Sequence, residues 1–265
     1  MFKSFRAYPT LLRAYWALAI EYRVQILMWV LTGTYPLVMM AVWINLAKDG
    51  RVGDYTVADF IGYYMGVMFV RRITYIWVLD DFEERIRTGE LSSYLLRPFH
   101  MMHQIFANIV AMRFLNTLIA GAIVAVVVLF VPGRQFDLHP FRLILFCVSI
   151  AIGFLFEFFL QAIVGTLAFW TTQVYRIFDS IWFVKSLMGG FVVPLSLLPP
   201  AIQQASYWLP FRSSMALPIE ILTGRAGYDQ AIAGIIISAV WVFILMMFTR
   251  WIWSRGLRSY SAVGA

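Results

Sequence analysis

Glu157 is the residue in this chain best placed to do chemistry. It stands in GFLFEFFLQ, inside a long apolar run, with Gln161 one helical turn further on. A carboxylate in hydrocarbon needs a partner, and two cations lie in other apolar runs, Arg113 and Lys185. The pattern leaves two readings open: a structural ion pair between helices, or a proton relay or substrate contact. The phenylalanines around Glu157 read as packing or lipid-facing surface. His100 and His103 are three apart, but no further ligand shares their face, so they read as polar residues at headgroup level and no metal site is expected. Cys147 is the single cysteine, which excludes an intramolecular disulfide and a Cys-x-x-Cys redox site. The chain has no Gly-x-x-x-x-Gly-Lys-[Ser/Thr] loop, no His-Glu-x-x-His and no Ser/His/Asp set. It does not read as an enzyme. Energy for any driven process would have to come from a partner or an ion gradient.

A different kind of chemistry, recognition, is written into residues 80–98, DDFEERIRTGELSSYLLRP. Phe82 and Ile86 are four apart, and so are Leu91 and Leu95 beyond Gly89. That spacing places apolar side chains on one face of a short helix, then a break, then a second short helix. Gly89 suits a left-handed position closing the first helix, and Pro98 stops the second. Two amphipathic pieces held near a bilayer make a docking surface; the plainer alternative is a solvated loop between membrane helices.

The rest of the chain is built to hold such a segment at a membrane. Hydrophobic residues make up 62% of the 265 and charged residues 13%, about half the charge of a soluble domain, and the mean hydropathy is +0.77. The net charge of +7 sits in short clusters at the ends of apolar runs, which indicates membrane topology rather than nucleic-acid binding. An all-α integral membrane protein is expected, one transmembrane domain over 1–265, with spans at 24–46, 57–79, 105–131, 141–171, 177–198 and 230–253. Pro36 interrupts the first span. Arg71 and Arg72 in the second either snorkel or show that the helix leaves the bilayer early and runs on into the charged segment. Residues 1–22, basic and aromatic, read as an interfacial amphipathic helix rather than a cleaved signal peptide. Residues 199–223 follow the fifth span with pieces too short to cross. Pro194, Pro199, Pro200, Pro210 and Pro218 break this region, and it reads as a re-entrant hairpin. With the N-terminus inside, 15 of the 21 lysines and arginines fall on the inner side and 6 on the outer. Both termini and residues 80–98 are then cytosolic and the hairpin faces outward. The tail from Ser254 is given no special role.

This arrangement, with FEERIRTGELSSYLLRP between the second and third spans and GGFVVPLSLLPPAIQQASYWLPFRSS after the fifth, resembles the type-2 ATP-binding-cassette (ABC) permeases, the membrane subunits of bacterial exporters. The resemblance covers essentially the whole chain. It implies a coupling helix at 80–98, seated in a cleft of a separate ABC ATPase present in two copies. Glu83, Glu84, Arg85, Arg87 and Glu90 would make the polar contacts, and Phe82, Ile86, Leu91 and Leu95 the apolar ones. ATP and magnesium would be bound by that ATPase, with no cofactor in this chain. A second permease subunit, identical or related, would complete the pathway in the bacterial cytoplasmic membrane, and the proline-rich hairpin would form the outward gate. A competing class is an ion-coupled carrier using Glu157, although such carriers usually show internal repeats with two matching broken helices and only one broken region is present. A non-transporting membrane scaffold is the third reading.

Overall fold

The computed structural model describes residues 23–96, 100–110 and 136–260, with side chains from residue 34 onward. The interfacial segment at 1–22, most of the third expected span with Arg113, and Pro98 lie outside the described residues. Among the described residues all regular structure is helical. Helix α1 is Arg23–Ala47, with Pro36 inside it; α2 is Val57–Thr74, α3 Leu79–Arg87 and α4 Leu91–Leu95. Residues 101–110 form α5. Then come α6, Pro140–Thr166; α7, Val174–Met188; α8, Pro200–Trp208; α9, Ala216–Leu222; and α10, Tyr228–Ser259.

Helix α6 is the axis of the molecule. Pro140 sits in its first turn, where a missing N–H costs nothing, and α10 runs alongside it. The two are parallel: Phe141 meets Tyr228 near their starts, and Phe169, in the turn after α6, meets Trp253 near the other end. With that turn, α6 forms one of two helices among the described residues long and apolar enough to cross a membrane; α10 is the other.

Three expected spans have different bounds. The second span was expected to reach Leu79 or to run on as helix into the charged segment, but α2 stops at Thr74 and α3 begins afresh at Leu79. Arg71 folds back over the rings of Tyr75 and Phe191, 4.9 and 4.6 Å from their centroids. Residues 177–198 were expected as the fifth span, whereas α7 starts at Val174, inside the expected link, and closes at Met188. Gly189 and Gly190 cause that stop. Gly190 takes φ +81°, and a methyl at Gly189 would meet the carbonyls of Lys185 and Phe211 at 2.5 and 2.9 Å. At about 1.5 Å per residue, α7 is roughly 22 Å long, short of a hydrocarbon core of about 30 Å. The last helix, expected at 230–253, runs on to Ser259.

The expected hairpin is a chain of short helices. Pro194 precedes a 3-10 turn, Pro199 and Pro200 start α8, Pro210 starts a second 3-10 turn, and α9 follows. It is held by α2, whose Tyr63 and Tyr64 hydroxyls donate to the carbonyls of Gly190 and Val192 at 2.6 and 2.8 Å. Those tyrosines, with Phe60 and Val67, form one apolar cluster with Phe146 and Ile150 of α6 and Ile219 and Ile221 of α9. A second cluster, at the other end of α6, joins Phe82, Ile86 and Leu91 to Met101, Ile105, Phe158, Ala162 and Trp253. The first marks the hairpin end of the molecule, the second the Gly89 end.

Candidate functional site

The α3–Gly89–α4 segment forms for local reasons. Asp80 and Asp81 occupy the first turn of α3 and Arg85 and Arg87 the last, each sign at the end the helix dipole favours. Arg85 pairs with Asp81 and Arg87 with Glu83, both at 2.8 Å and four residues apart. Thr88 N–H and its hydroxyl both donate to the Glu84 carbonyl at 2.8 Å, closing the helix. Gly89 then takes φ +82°, the left-handed conformation its type anticipates, and α4 sets off in a new direction.

What seats the segment is apolar contact with α6 and α10. Gly165 lets α3 come close, since a methyl there would meet Phe82 Cβ at 2.5 Å, and the Phe82 ring meets Trp253 edge-on with centroids 6.1 Å apart. Phe82 and Leu91 are fully buried and Ile86 is nearly so. This changes the expected division of labour. Phe82, Ile86 and Leu91 were expected to offer apolar contacts outward; the segment instead lies flat on the bundle and they fill this chain's own core. Glu83 is buried as well, 5% exposed, and the Arg85 guanidinium covers the Tyr94 ring at 4.7 Å. The side chains presented to the outside include Glu84, Arg87 and Glu90, together with Asp80, Thr88 and Ser93, and with Leu95 at 47% and Leu96 at 88% exposure. Beside them an open groove of ≈ 500 Å³ is lined by Asp80, Glu83, Glu84, Arg87, Thr88 and Tyr175, with Tyr175 donating its hydroxyl to Asp80.

Two further supports escape sequence reasoning. The gap between α2 and α3 is bridged by one side chain: Gln161 Nε2 donates to the Ile76 carbonyl at 2.7 Å and Val78 N–H donates to Gln161 Oε1 at 2.9 Å. Tyr260, in the tail given no role, donates to the Gly89 carbonyl at 3.0 Å and shares a hydrogen bond with Ser92 at 3.1 Å. Gln161 stood out as a polar residue in an apolar run, but no pattern in the tail marks Tyr260.

Glu157 resolves to one of its two anticipated partners. Lys185 Nζ donates to both carboxylate oxygens, at 2.7 and 2.8 Å, and both side chains are buried. The pair ties α6 to α7 beside a small cavity of ≈ 30 Å³ lined also by Arg71, Thr74, Trp182 and Phe191. Phe156 and Phe158 are buried in packing. His100 meets Trp253 edge-on with ring centroids 5.3 Å apart, and His103 likewise at 6.1 Å. Burial, and then the neighbouring His103, push the His100 pKa below its ordinary value. No group of three metal-ligating side chains forms among the described residues.

In comparison with known proteins, residues 25–264 match the model of a family described as ABC-2 family transporter protein. No curated protein and no solved structure gives a significant match.

Proposed function

This chain belongs to the ABC-2 family of transporter proteins, as an integral-membrane permease, and on that premise we propose that it forms half of the translocation pathway of an ATP-driven exporter, energised by a separate ABC ATPase docked on the α3–α4 face. The observation that carries this reading is the way that face is built. Phe82, Ile86 and Leu91 lock it to the bundle, while Glu84, Arg87, Glu90, Leu95 and Leu96 are exposed at or beside an open polar groove. An apolar seat with a charged outer face passes load inward without peeling off.

Two ATPases closing on ATP and magnesium would press on α3. The push reaches α6 and α10 through Phe82 against Gly165 and Trp253, then α7 through Glu157 and Lys185. Because α7 ends at Gly189 and the Gly189 carbonyl accepts from Ala216 N–H at 2.9 Å, the motion arrives at the hairpin. Pro194, Pro199, Pro200 and Pro210 hold that hairpin in short rigid pieces, which suits an exit gate. A second permease, identical or related, completes the pathway. The excess of lysine and arginine on one side supports placing both termini and the α3–α4 face in the cytosol, with the chain in a bacterial cytoplasmic membrane.

The test is recovery of the ATPase with tagged permease. Reversing charge on the presented face, Glu84→Arg with Arg87→Glu, should lower the co-purified ATPase at least about tenfold, since misplaced like charges at an interface cost several kcal/mol, with membrane insertion unchanged. Undiminished ATPase in this variant would sink the proposal.

A further inference from the structure

A groove of ≈ 300 Å³ opens between α5, α6 and α10, away from both the docking face and the Glu157–Lys185 pair. Its walls are apolar: Phe106, Leu155, Phe158, Phe159 and Met246. Its polar groups come from His100, His103, Thr249 and Arg250. Thr249 donates its hydroxyl to the Leu245 carbonyl of its own helix at 2.7 Å and is not available. Arg250 enters no ion pair among the described residues, and no described carboxylate lines the groove. An apolar slot whose rim holds one fixed cation, Arg250, beside two imidazoles and no described carboxylate fits an amphiphile with an anionic head.

Depth identifies which amphiphile. Counting along the parallel helices at about 1.5 Å per residue, Leu155 to Phe159 lie roughly 22 to 28 Å from the start of α6. Met246 to Arg250 lie roughly 27 to 33 Å from the start of α10. Against a hydrocarbon thickness of about 30 Å, the walls fall among the acyl chains of one leaflet and Arg250 falls at its headgroups.

We propose that this groove is a binding site for an anionic membrane phospholipid, its phosphate held by Arg250 with His100 and His103 and one acyl chain lying on Phe106, Phe158, Phe159 and Met246. The site touches the coupling region from behind, because Phe158 also belongs to the cluster that seats Phe82 and Leu91. Bound lipid then fills the back wall of that seat.

The experiment uses full-length permease, delipidated in mild detergent and titrated with phosphatidylglycerol or phosphatidylcholine, with retained lipid counted by native mass spectrometry. Wild type should retain one phosphatidylglycerol at concentrations where phosphatidylcholine is lost. Arg250→Gln should weaken phosphatidylglycerol by about tenfold or more, the scale of a lost charge-assisted hydrogen bond. Met246→Trp, which fills the slot and keeps the charge, should lose the retained lipid. Arg255→Gln serves as control, since Arg255 lies over Trp251 outside the groove, and should leave binding unchanged. Equal retention of the two lipids by wild type, undiminished phosphatidylglycerol on Arg250→Gln, or a non-lipid amphiphile in its place would each overturn the proposal.

Discussion

The hairpin end and the Gly89 end of this molecule are both well buried, yet they are held in different ways. At the hairpin end, polar groups tie one element to another. Tyr63 and Tyr64 reach the carbonyls of Gly190 and Val192. Arg142 pairs with Asp137 at 2.7 Å and donates to the carbonyls of Ile221 and Ala226 at 3.2 and 2.8 Å; Arg225 pairs with Asp59 at 3.0 Å. At the Gly89 end the ion pairs of α3 lie within α3, Tyr175, Gln161 and Tyr260 add hydrogen bonds from other elements, and the buried face of the segment rests on rings and aliphatic chains. Hydrogen bonds fix direction, whereas apolar contact holds surface without fixing orientation. One end is therefore latched and the other is seated, which suits a gate that must open as a unit and a lever that must tilt.

The comparison can be broken most severely at the Glu157–Lys185 pair, which lies between the two ends. Lys185→Met leaves a buried carboxylate without its cation and should cost about 3–5 kcal/mol, read as a large fall in the thermal midpoint. Adding Glu157→Met should recover most of it, because a buried pair is often replaceable by apolar side chains. Failure of the double variant to recover would mean that the pair holds more than the α6–α7 contact. A smaller change sharpens the contrast: Gly165→Val overpacks the seat of Phe82, at about 1–3 kcal/mol. Limited proteolysis should then cut at Arg85 and Arg87 while the hairpin stays protected, and cleavage at Arg212 or Arg225 first would reverse the assignment of the two ends. The smallest effects come from single hydroxyls. Tyr63→Phe leaves a buried carbonyl unpaired and should cost about 1–3 kcal/mol, against about 0.5–1.5 kcal/mol for Tyr260→Phe at the half-exposed Gly89 contact. Equal losses would erase the distinction between latch and seat.

How much of this could be read from the chain depended on whether a residue's role was local. Gly89 announced its left-handed conformation, the five prolines announced a broken hairpin, and Glu157 required a cation that proved to be one of the two available. The Gly189-Gly190 pair was also a readable stop for α7, although the apolar run continuing to Leu198 concealed it. The end of α2 at Thr74 was not readable, because no proline or glycine marks it and the backbone groups of the gap beyond it, at Ile76 and Val78, are met by Gln161, 83 residues from Val78. Nor does four-residue spacing say what covers a face. Phe82, Ile86 and Leu91 line up equally well for a partner or for this chain's own core, and only the approach of Gly165 and Trp253 decides it. Tyr260 contacts Gly89 across 171 residues, a distance at which periodicity carries no information.

The Gln161 amide has a mechanical consequence. One rigid planar group satisfies a carbonyl on one side of the α2–α3 gap and an N–H on the other, two residues apart. A hydrogen bond weakens steeply once it lengthens by about half an ångström, and here a displacement that strains one bond strains its companion. The junction therefore behaves as a detent rather than a spring. Small thermal pushes on α3 leave it in place, and a push above threshold releases both contacts together and lets α3 move a full step. In the proposed coupling, noise at the α3–α4 face would be filtered out before it reaches α2, and only a concerted stroke would get through.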